Sequence, residues 1–301
     1  MRLAVSVVGS LAAVALLAGC GGAADAGTAA GEMPATLRVG VIPNIAPEDQ
    51  QAKYDPLREY LQETLDAEVE LFVATNYAGV VSALTAGQVD IAYLGGLTYV
   101  QAAEQSELTP LVTEVDRETG TKEYLSGIVV KADSPLQSVE DLVESEGTFA
   151  FGDVSSTSGS LYPRIMLVEA GAECSAAQIE SCPPLREVTF TGGHDATAQA
   201  VVGGSVDAGG LELRILHRLE SEGSVEKGAL RVIAEHEVMG YPWVGRTELG
   251  EDVLEQVREA FLAIEDPELL DLLRAESYEA VTDGDYAELR EHAEELGLLT
   301  T

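Results

Sequence analysis

The amino-acid sequence predicts an α/β protein built from two lobes, and two observations lead to this prediction. Short apolar segments of strand character alternate with segments of helical periodicity along most of the chain. This alternation is typical of α/β folds with mainly parallel strands. About 265 residues follow the N-terminal segment, which is more than one compact core usually holds and suits two lobes of ordinary size.

The first series of elements runs up to a turn at Ser134 and Pro135. Apolar and β-branched residues predict strands at residues 37–43, 68–74, 90–96, 108–115 and 125–134. Apolar residues spaced three and four apart predict helices at residues 54–65, 77–87 and 98–106. Gly87 is a typical residue for the end of the second of these helices.

The alternation restarts beyond the turn and predicts the second lobe. Its predicted helices lie at residues 138–145, from about Thr157 and from His194. Its predicted strands lie at residues 148–153, 188–193, 206–212 and 230–238. Three further helical patterns follow, at residues 250–264, 266–276 and 285–299.

Two strand-to-helix junctions carry side chains that suit an anion. Residues 152–159, GDVSSTSG, follow a strand and place Ser156, Thr157 and Ser158 at a helix N-terminus, and His194 lies at a second such junction. Helix N-termini have free N–H groups and partial positive charge. The same residue types also cap helices that bind nothing, so each junction alone is ambiguous. Together they predict a pocket for a small anion.

The N-terminal residues predict export and a lipid anchor. Residues 1–19 combine one basic residue with an apolar stretch and small residues, as a secretory signal peptide does. The LAGC sequence that ends at Cys20 resembles a bacterial lipobox, in which this cysteine is acylated. Residues 20–35 then read as a flexible tether. The alternative is an ordinary secretory signal with a chance cysteine.

The charge of the chain excludes several classes of partner. The formal net charge is −35, and removal of the signal peptide takes away Arg2, which gives −35 − 1 = −36 for the exported part. A protein binds nucleic acids or anionic membranes through clustered basic residues, so neither is expected as a partner of this chain. An anion site in such a chain must depend on local donors. We also hypothesise that the acidic surface is an adaptation to salt.

Two further cysteines, Cys174 and Cys182, lie in a polar segment between predicted elements. In an exported protein they are expected to form a local disulfide. The alternative is a metal site, but neither a CxxC nor an HExxH motif is present. We therefore predict no metal and no cofactor.

Three segments resemble the phosphate-, phosphite- and phosphonate-binding lipoproteins of bacterial ABC transporters. They are ATNYAGVVSALTAGQVDIAYLGGLTYVQA, FGDVSSTSGSLYP and GGHDATAQAVVGGSVDAG, and the similarity extends from about residue 37 to residue 273. It implies a two-lobed periplasmic-binding-protein fold, type II-like, with two hinge crossovers and the ligand in the interlobe cleft. It also implies a monomer that delivers its ligand to a membrane permease and is not an enzyme.

The resemblance also implies lobe boundaries. Lobe 1 would contain residues 36–126 and 236–301, and lobe 2 would contain residues 127–235. The crossovers between the lobes would fall near Gly127 and His236.

The resemblance further implies a set of ligand-binding residues. These are Tyr77, Tyr124, Ser156, Thr157, Ser158, His194, Glu212 and Tyr241. Glu212 matches a position where the aminophosphonate binders of this family carry a carboxylate. Those binders carry a second acidic residue further along the chain, but the matching segment here, MGYPWVG, has Tyr241 instead. This difference favours phosphite, phosphate or methylphosphonate over 2-aminoethylphosphonate. Trp243 either walls the pocket or packs in a core.

Two other functions remain open from the residues alone. A lipid-anchored hydrolase would use Ser156 or Ser158 with His194 and an acid such as Asp153 or Asp195. The chain has no GxSxG motif, which disfavours this alternative. The other possibility is a binding protein of the same shape that serves a sensor or takes another oxyanion, such as selenite.

Overall fold

The computed structural model describes residues 32–272 and 274–299. The predicted signal peptide, the lipidation site Cys20 and most of the predicted tether lie outside the described residues. In the described part of the chain, no helix is both long enough and apolar enough to cross a membrane.

The protein is a mixed α/β structure with two sheets, so the predicted fold class is confirmed. The first series of elements is β1 (Thr36–Val41), α1 (Pro47–Leu65), β2 (Glu68–Val73), α2 (Tyr77–Thr85), β3 (Ile91–Tyr93), α3 (Gly96–Ala103) and β4 (Leu108–Asp116). Asn76 caps α2, since its side chain accepts a hydrogen bond from the N–H of Gly79. The chain beyond α2 turns through Gly87 at a φ of 72°, which lies in the left-handed region that favours glycine.

The second series forms the other sheet and its helices. It comprises β5 (Glu123–Lys131), α4 (Val139–Glu144), β6 (Thr148–Phe151), a π-helical turn (Thr157–Leu161), α5 (Tyr162–Glu169), a 3₁₀ turn (Ala176–Gln178), β7 (Glu187–Phe190), α6 (His194–Val202), β8 (Ala208–Glu212), α7 (Leu213–Glu222) and β9 (Leu230–Met239). Helix α7 was not predicted, although four of its apolar residues are buried: Leu213, Ile215, Leu216 and Leu219.

The third series returns to the first sheet. It comprises β10 (Trp243–Arg246), a 3₁₀ turn (Thr247–Leu249), α8 (Glu251–Leu262), α9 (Pro267–Leu272), β11 (Ala275–Ala280), a 3₁₀ turn (Asp283–Tyr286) and α10 (Ala287–Glu295). Strands β10 and β11 were not predicted. The helix predicted at residues 266–276 ends earlier, and the chain from Ala275 pairs with β4 as a strand.

The strand order is β11-β4-β10-β3-β1-β2 in the first sheet and β7-β6-β8-β5-β9 in the second. Four of the nine pairings between described strands are parallel: β1 with β2 and β3, and β6 with β7 and β8. The other five are antiparallel. The expectation of mainly parallel strands was therefore wrong. Two consecutive parallel strands need a crossover connection between them, usually a helix. A strand that enters from the other sheet is not limited in this way and can pair parallel or antiparallel with its neighbour.

The chain passes between the sheets twice, from β4 to β5 and from β9 to β10. Both β5 and β9 belong wholly to the second sheet, where Glu123 pairs with Met239. The changes of sheet thus lie at residues 117–122 and 240–242, a few residues from the expected crossovers at Gly127 and His236. Because β5 and β9 pair along their whole length, the two connections leave the second sheet side by side.

Each sheet has its own buried core. Trp243 is fully buried in the first core, with its ring centroid 5.0 Å from Tyr93 and 4.6 Å from Phe261. This answers the question left open for Trp243, whose ring packs in a core. Two clusters cover the second sheet, and one of them includes Cys174 and Cys182. These two cysteines form a disulfide, as predicted.

Candidate functional site

The GDVSSTSG segment forms a tight loop that ends in the π-helical turn. The side chain of Ser156 caps this turn by accepting a hydrogen bond from the N–H of Gly159, at 3.0 Å. The N–H of Gly152 in turn donates to the carbonyl of Gly159, at 2.8 Å. Ser156, Thr157 and Ser158 are each at most 1% exposed. Three hydroxyl groups are therefore fixed at one buried helix start, as the sequence predicts.

His194 begins α6 and is buried. Its Nδ1 accepts a hydrogen bond from the backbone N–H of Glu212, at 3.2 Å, so Nδ1 carries no proton. Burial lowers the pKa of His194 and favours the neutral ring. The proton of that neutral ring must then lie on Nε2, which makes Nε2 a hydrogen-bond donor. Within the described residues Nε2 has no partner.

Gly159 brings the two junctions together. A Cβ atom added at Gly159 would lie 2.9 Å from the Oγ of Ser156 and 3.2 Å from the Cε1 of His194. Such distances are too short for an ordinary contact, so any side chain at this position would force a neighbour to shift. The loop before α5 and the start of α6 therefore meet at one point, as the sequence analysis expected.

The first sheet's elements reach the same place from the other side. The N–H of Leu97, in the first turn of α3, donates to Thr157 Oγ1 at 2.9 Å, and Thr98 Oγ1 donates to the carbonyl of Ser155 at 3.0 Å. The N–H of Tyr77 donates to Asp153 Oδ2 at 3.3 Å. The two lobes are thus joined across the cleft. The contact of α3 with this loop was not predicted, because Leu97 contributes only its backbone N–H.

Four buried polar atoms at this junction lack hydrogen-bond partners among the described residues. They are the hydroxyls of Tyr77, Tyr124 and Ser158 and the Nε2 of His194. We call these four groups the donor set. Each belongs to a side chain that is at most 1% exposed. Burial raises the pKa of both tyrosines, so their hydroxyls keep their protons.

An unpaired buried donor is costly, since it has lost its water and gained nothing in return. Four such groups together are best explained by a ligand that accepts hydrogen bonds from all of them. All four are neutral donors, and three helix starts (the π-helical turn, α3 and α6) lie around them. Helix starts add partial positive charge without a Lys or Arg side chain. This arrangement suits a small oxyanion.

Glu212 does not belong to the donor set, because its carboxylate is already paired. Arg214 Nε donates to Glu212 Oε1 at 2.6 Å, and the hydroxyl of Tyr241 donates to Glu212 Oε2 at 2.7 Å. Burial by itself would raise the pKa of Glu212, but Arg214 and the other donors hold it below its usual value. Glu212 and Tyr241, both expected to touch the ligand, therefore contact each other.

Arg214 continues this chain of contacts toward the hinge. Its Nη1 donates to Glu114 Oε1 at 2.8 Å, and the hydroxyl of Tyr93 donates to the same oxygen at 3.0 Å. The guanidinium also lies 4.6 Å from the ring centroid of Tyr124, a cation–π contact. Neither Arg214 nor Glu114 was predicted as a site residue. The available signal was Arg214 itself, a basic residue two positions after Glu212 in a chain with few basic residues.

The candidate hydrolase residues do not form a catalytic triad. Nδ1 of His194 accepts a backbone N–H instead of donating to a carboxylate, and Nε2 has no serine partner among the described residues. Asp153 accepts from the N–H groups of Tyr77 and Ser155, and Asp195 accepts from the N–H of Ala46. The two acids thus hold backbone across the cleft and do not orient the histidine.

Comparison with known proteins identifies the family of this chain. A family model described as the periplasmic substrate-binding protein of a phosphonate ABC transporter matches residues 39–286. The chain belongs to this phosphonate-binding family. The phosphate-import protein PhnD of Mycolicibacterium smegmatis is 31% identical over 256 residues, which cover 83% of this chain and 79% of that protein. The probable ABC transporter phosphite binding protein PhnD1 of Prochlorococcus marinus is 25% identical over 272 residues, which cover 86% and 89%.

Solved structures show the same fold. The structure of PhnD1 from Prochlorococcus marinus in complex with methylphosphonate has a TM-score of 0.75 at 24% identity and covers 88% of this chain and 99% of that chain. Members of the phosphonate-binding family are periplasmic binding proteins, which supports a periplasmic or surface location. Their role in transport is to bind a small ligand for an ABC importer.

Proposed function

We propose that this protein is the substrate-binding component of an ABC importer and captures a small phosphorus oxyanion by closure of its two lobes. The observation that carries the proposal is the donor set, four buried and unpaired donors at one junction. Family membership supports the same function. A tetrahedral oxyanion offers acceptor oxygens in several directions at once, so it can pair with donors that approach from different elements.

Six of the eight ligand contacts expected from the resemblance are proposed here. The hydroxyl of Ser158 and the Nε2–H of His194 donate from lobe 2, and the hydroxyls of Tyr77 and Tyr124 donate from lobe 1 and the hinge. Ser156 and Thr157 add two hydroxyl groups, whose oxygens accept backbone N–H bonds and whose hydrogens are proposed to turn toward the ligand. Glu212 and Tyr241 form the wall toward the hinge.

The proposed ligands are phosphite, phosphate and methylphosphonate. These ligands are small and need no partner from Glu212 or Tyr241, which are already hydrogen-bonded to each other. One relative is named for phosphate import and another for phosphite binding, and a structural relative holds methylphosphonate. The three ligands differ at one position of the tetrahedron, where phosphate has oxygen, phosphite has hydrogen and methylphosphonate has a methyl group.

Calorimetric titration of the mature chain, freed of carried-over ligand, tests this function. Phosphate, phosphite and methylphosphonate are added in turn, with sulfate as a tetrahedral control that carries no phosphorus. Tight one-to-one binding of any of the three phosphorus compounds supports the proposal and names the ligand. Binding of sulfate alone, or of none of the four by a folded chain, contradicts it.

Lobe closure is proposed about the two connections at residues 117–122 and 240–242, because residues 123–126 and 236–239, expected in lobe 1, pair with each other in the second sheet. Hydrogen bonds that cross between the lobes support a closed form. They include Leu97 to Thr157, Tyr77 to Asp153 and His194 N–H to the carbonyl of Asn44 at 3.1 Å. These bonds must break for the ligand to enter, which is the usual behaviour of binding proteins that close about a hinge.

Attachment to the membrane through acylated Cys20 is proposed as well, with the chain otherwise monomeric and free of contact with nucleic acid. Replacement of Cys20 by Ala is expected to release the protein from membranes into the soluble fraction. If the variant stays with the membrane fraction, lipidation at this residue is ruled out.

The alternative of a serine hydrolase is disfavoured by the geometry of His194, whose ring is not oriented by a carboxylate. A sensor or a carrier of another oxyanion, such as selenite, would use the same donors. Titration with selenite tests the carrier of another oxyanion, because tighter binding of selenite than of the phosphorus compounds would favour that alternative.

A further inference from the structure

The wall of the site toward the hinge contains a carboxylate, Glu212, that is sealed inside the protein. A buried carboxylate close to an oxyanion pocket would ordinarily repel the anion or recruit a cationic group of the ligand. An aminoalkylphosphonate has such a group, because it combines a phosphonate with an ammonium. The question is therefore which cation pairs with Glu212 in this chain.

Arg214 already occupies that role. Its Nε lies 2.6 Å from Glu212 Oε1, and both side chains are only 4% exposed. The hydroxyl of Tyr241 holds the other carboxylate oxygen at 2.7 Å. Each oxygen of Glu212 thus has a donor from the chain itself. An ammonium from a ligand would have to displace one of them.

Arg214 is itself firmly held, so it does not leave easily. Its Nη1 donates to Glu114 at 2.8 Å, its Nε lies 3.5 Å from Asp116 Oδ2, and its guanidinium lies over the ring of Tyr124. Tyr124 in turn supplies one hydroxyl of the donor set. The guanidinium therefore links the carboxylate wall to the anion pocket. Burial of a charge is tolerated in this way only when it is paired on several sides.

We propose that Arg214 is a built-in counter-ion for Glu212 and makes this site select phosphorus oxyanions that carry no amine. The proposal rests on the proposed function and adds the residue that determines selectivity. A ligand ammonium entering this site would lose its hydration, find both oxygens of Glu212 already paired with donors and meet the guanidinium of Arg214 nearby. A hydrogen, a methyl group or a neutral alkyl group meets none of these penalties.

Two isosteric ligands test the proposal with the wild-type chain. Ethylphosphonate and aminomethylphosphonate have the same number of heavy atoms and differ in a methyl group against an ammonium. Calorimetric titration is expected to show ethylphosphonate binding at least about tenfold more tightly, the factor that corresponds to about 1.4 kcal/mol. Methylphosphonate and phosphate are titrated beside them as references for the oxyanion pocket.

Variants then assign the selectivity to the pair. Arg214→Met is expected to shift the ratio of the two affinities toward aminomethylphosphonate by about tenfold or more, because Glu212 then lacks its cation. The double variant Arg214→Met with Glu212→Gln is expected to lose this shift, and Arg214→Lys is expected to keep the wild-type order. Thermal unfolding of each variant, followed by circular dichroism, checks that it is folded.

Three outcomes overturn the proposal. One is tighter binding of aminomethylphosphonate by the wild type. Another is an equal shift in the single and the double variant. The third is failure of both the wild type and a folded Arg214→Met variant to bind either isostere while methylphosphonate binds, which means that size alone sets the limit. If Arg214→Met does not fold, the wild-type ratio decides. Failure of the reference ligands as well would contradict the proposed function itself.

Discussion

The protonation state of His194 decides how it acts in the pocket. Because Nδ1 accepts the N–H of Glu212, the neutral ring carries its proton on Nε2, the atom that we propose as a donor to the ligand. His194→Ala is expected to weaken binding of the phosphorus oxyanion by about tenfold or more, since one donor is lost. The control is His217→Ala, whose ring is 41% exposed and pairs with Glu118. Equal affinities of the His194 variant and the wild type, measured by calorimetry, would remove His194 from the site.

Burial of His194 also makes stability depend on pH. Burial lowers its pKa in the folded chain, whereas the unfolded chain has a pKa of about 6.5. Below about pH 6.5 the unfolded state therefore binds the extra proton first, and the free energy of unfolding falls with decreasing pH, by at most about 1.4 kcal/mol per pH unit from this group. The loss ends once pH passes below the folded pKa.

The measurement is urea unfolding of wild type and His194→Gln from neutral to mildly acidic pH. The wild type is expected to lose more stability than the variant over the acidic part of this range. Parallel curves for the two proteins would show that His194 titrates alike in the folded and the unfolded chain.

At the residue scale, the sequence predicted much of the site but not its pairing. Ser158 and His194 were predicted from their junction motifs, since hydroxyls and a histidine at helix starts leave a local signal, whereas Tyr77 and Tyr124 were expected only from the resemblance to the family. Arg214 and Glu114 leave none, because they are 100 positions apart and meet only after the lobes pack. The state of Glu212 depends on that meeting, so the sequence could not show that its carboxylate is already paired.

At the scale of elements, the two helix starts depend on the absence of a side chain at Gly159. Gly159→Ala is expected to weaken ligand binding at least about tenfold and to lower the melting temperature by several degrees, roughly the effect of one overpacked contact. The reason is the crowding of the new Cβ against Ser156 Oγ and His194 Cε1. Calorimetry and thermal unfolding measure the two effects.

Gly284→Ala is the matched control, because its added Cβ would meet only Thr282 Oγ1 at an ordinary 3.6 Å. It is expected to change neither affinity nor melting temperature. Wild-type behaviour of both glycine variants would contradict the close approach of the two junctions.

Sequence patterns predicted some helices and strands correctly and missed others. Strands such as β1 and β6, and helices such as α2 and α8, were expected at or near their observed positions, since their periodicity is set by burial in one core. Strands β10 and β11 were missed. The first has four residues and the second alternates weakly, so each is defined by its pairing with β4 and not by its own pattern.

At the scale of the whole molecule, the net charge of −35 opposes compaction. If the acidic surface is an adaptation to salt, the melting temperature is expected to rise as KCl is raised from about 0.1 M to about 1 M, because the screening length falls from about 10 Å to about 3 Å. Differential scanning calorimetry gives the answer, and a steady fall of the melting temperature would rule out this adaptation.

The two-lobed form explains why the donor set is unpaired. In the proposed closure, donors on opposite lobes come together, and a ligand between them would compensate for the water that they lose. The acidic exterior and the neutral, donor-lined interior therefore have separate roles, one toward the solvent and the other toward the ligand.

A crystal structure of the mature chain with methylphosphonate tests the central claim most directly. We expect the phosphonate oxygens within about 2.6–3.2 Å of the hydroxyls of Tyr77, Tyr124 and Ser158 and of His194 Nε2. The methyl group should lie apart from Arg214. An anion bound elsewhere, for instance in the cavity of about 320 Å³ that Lys53, Arg218 and Arg274 help to line, with the donor set empty, would contradict the account.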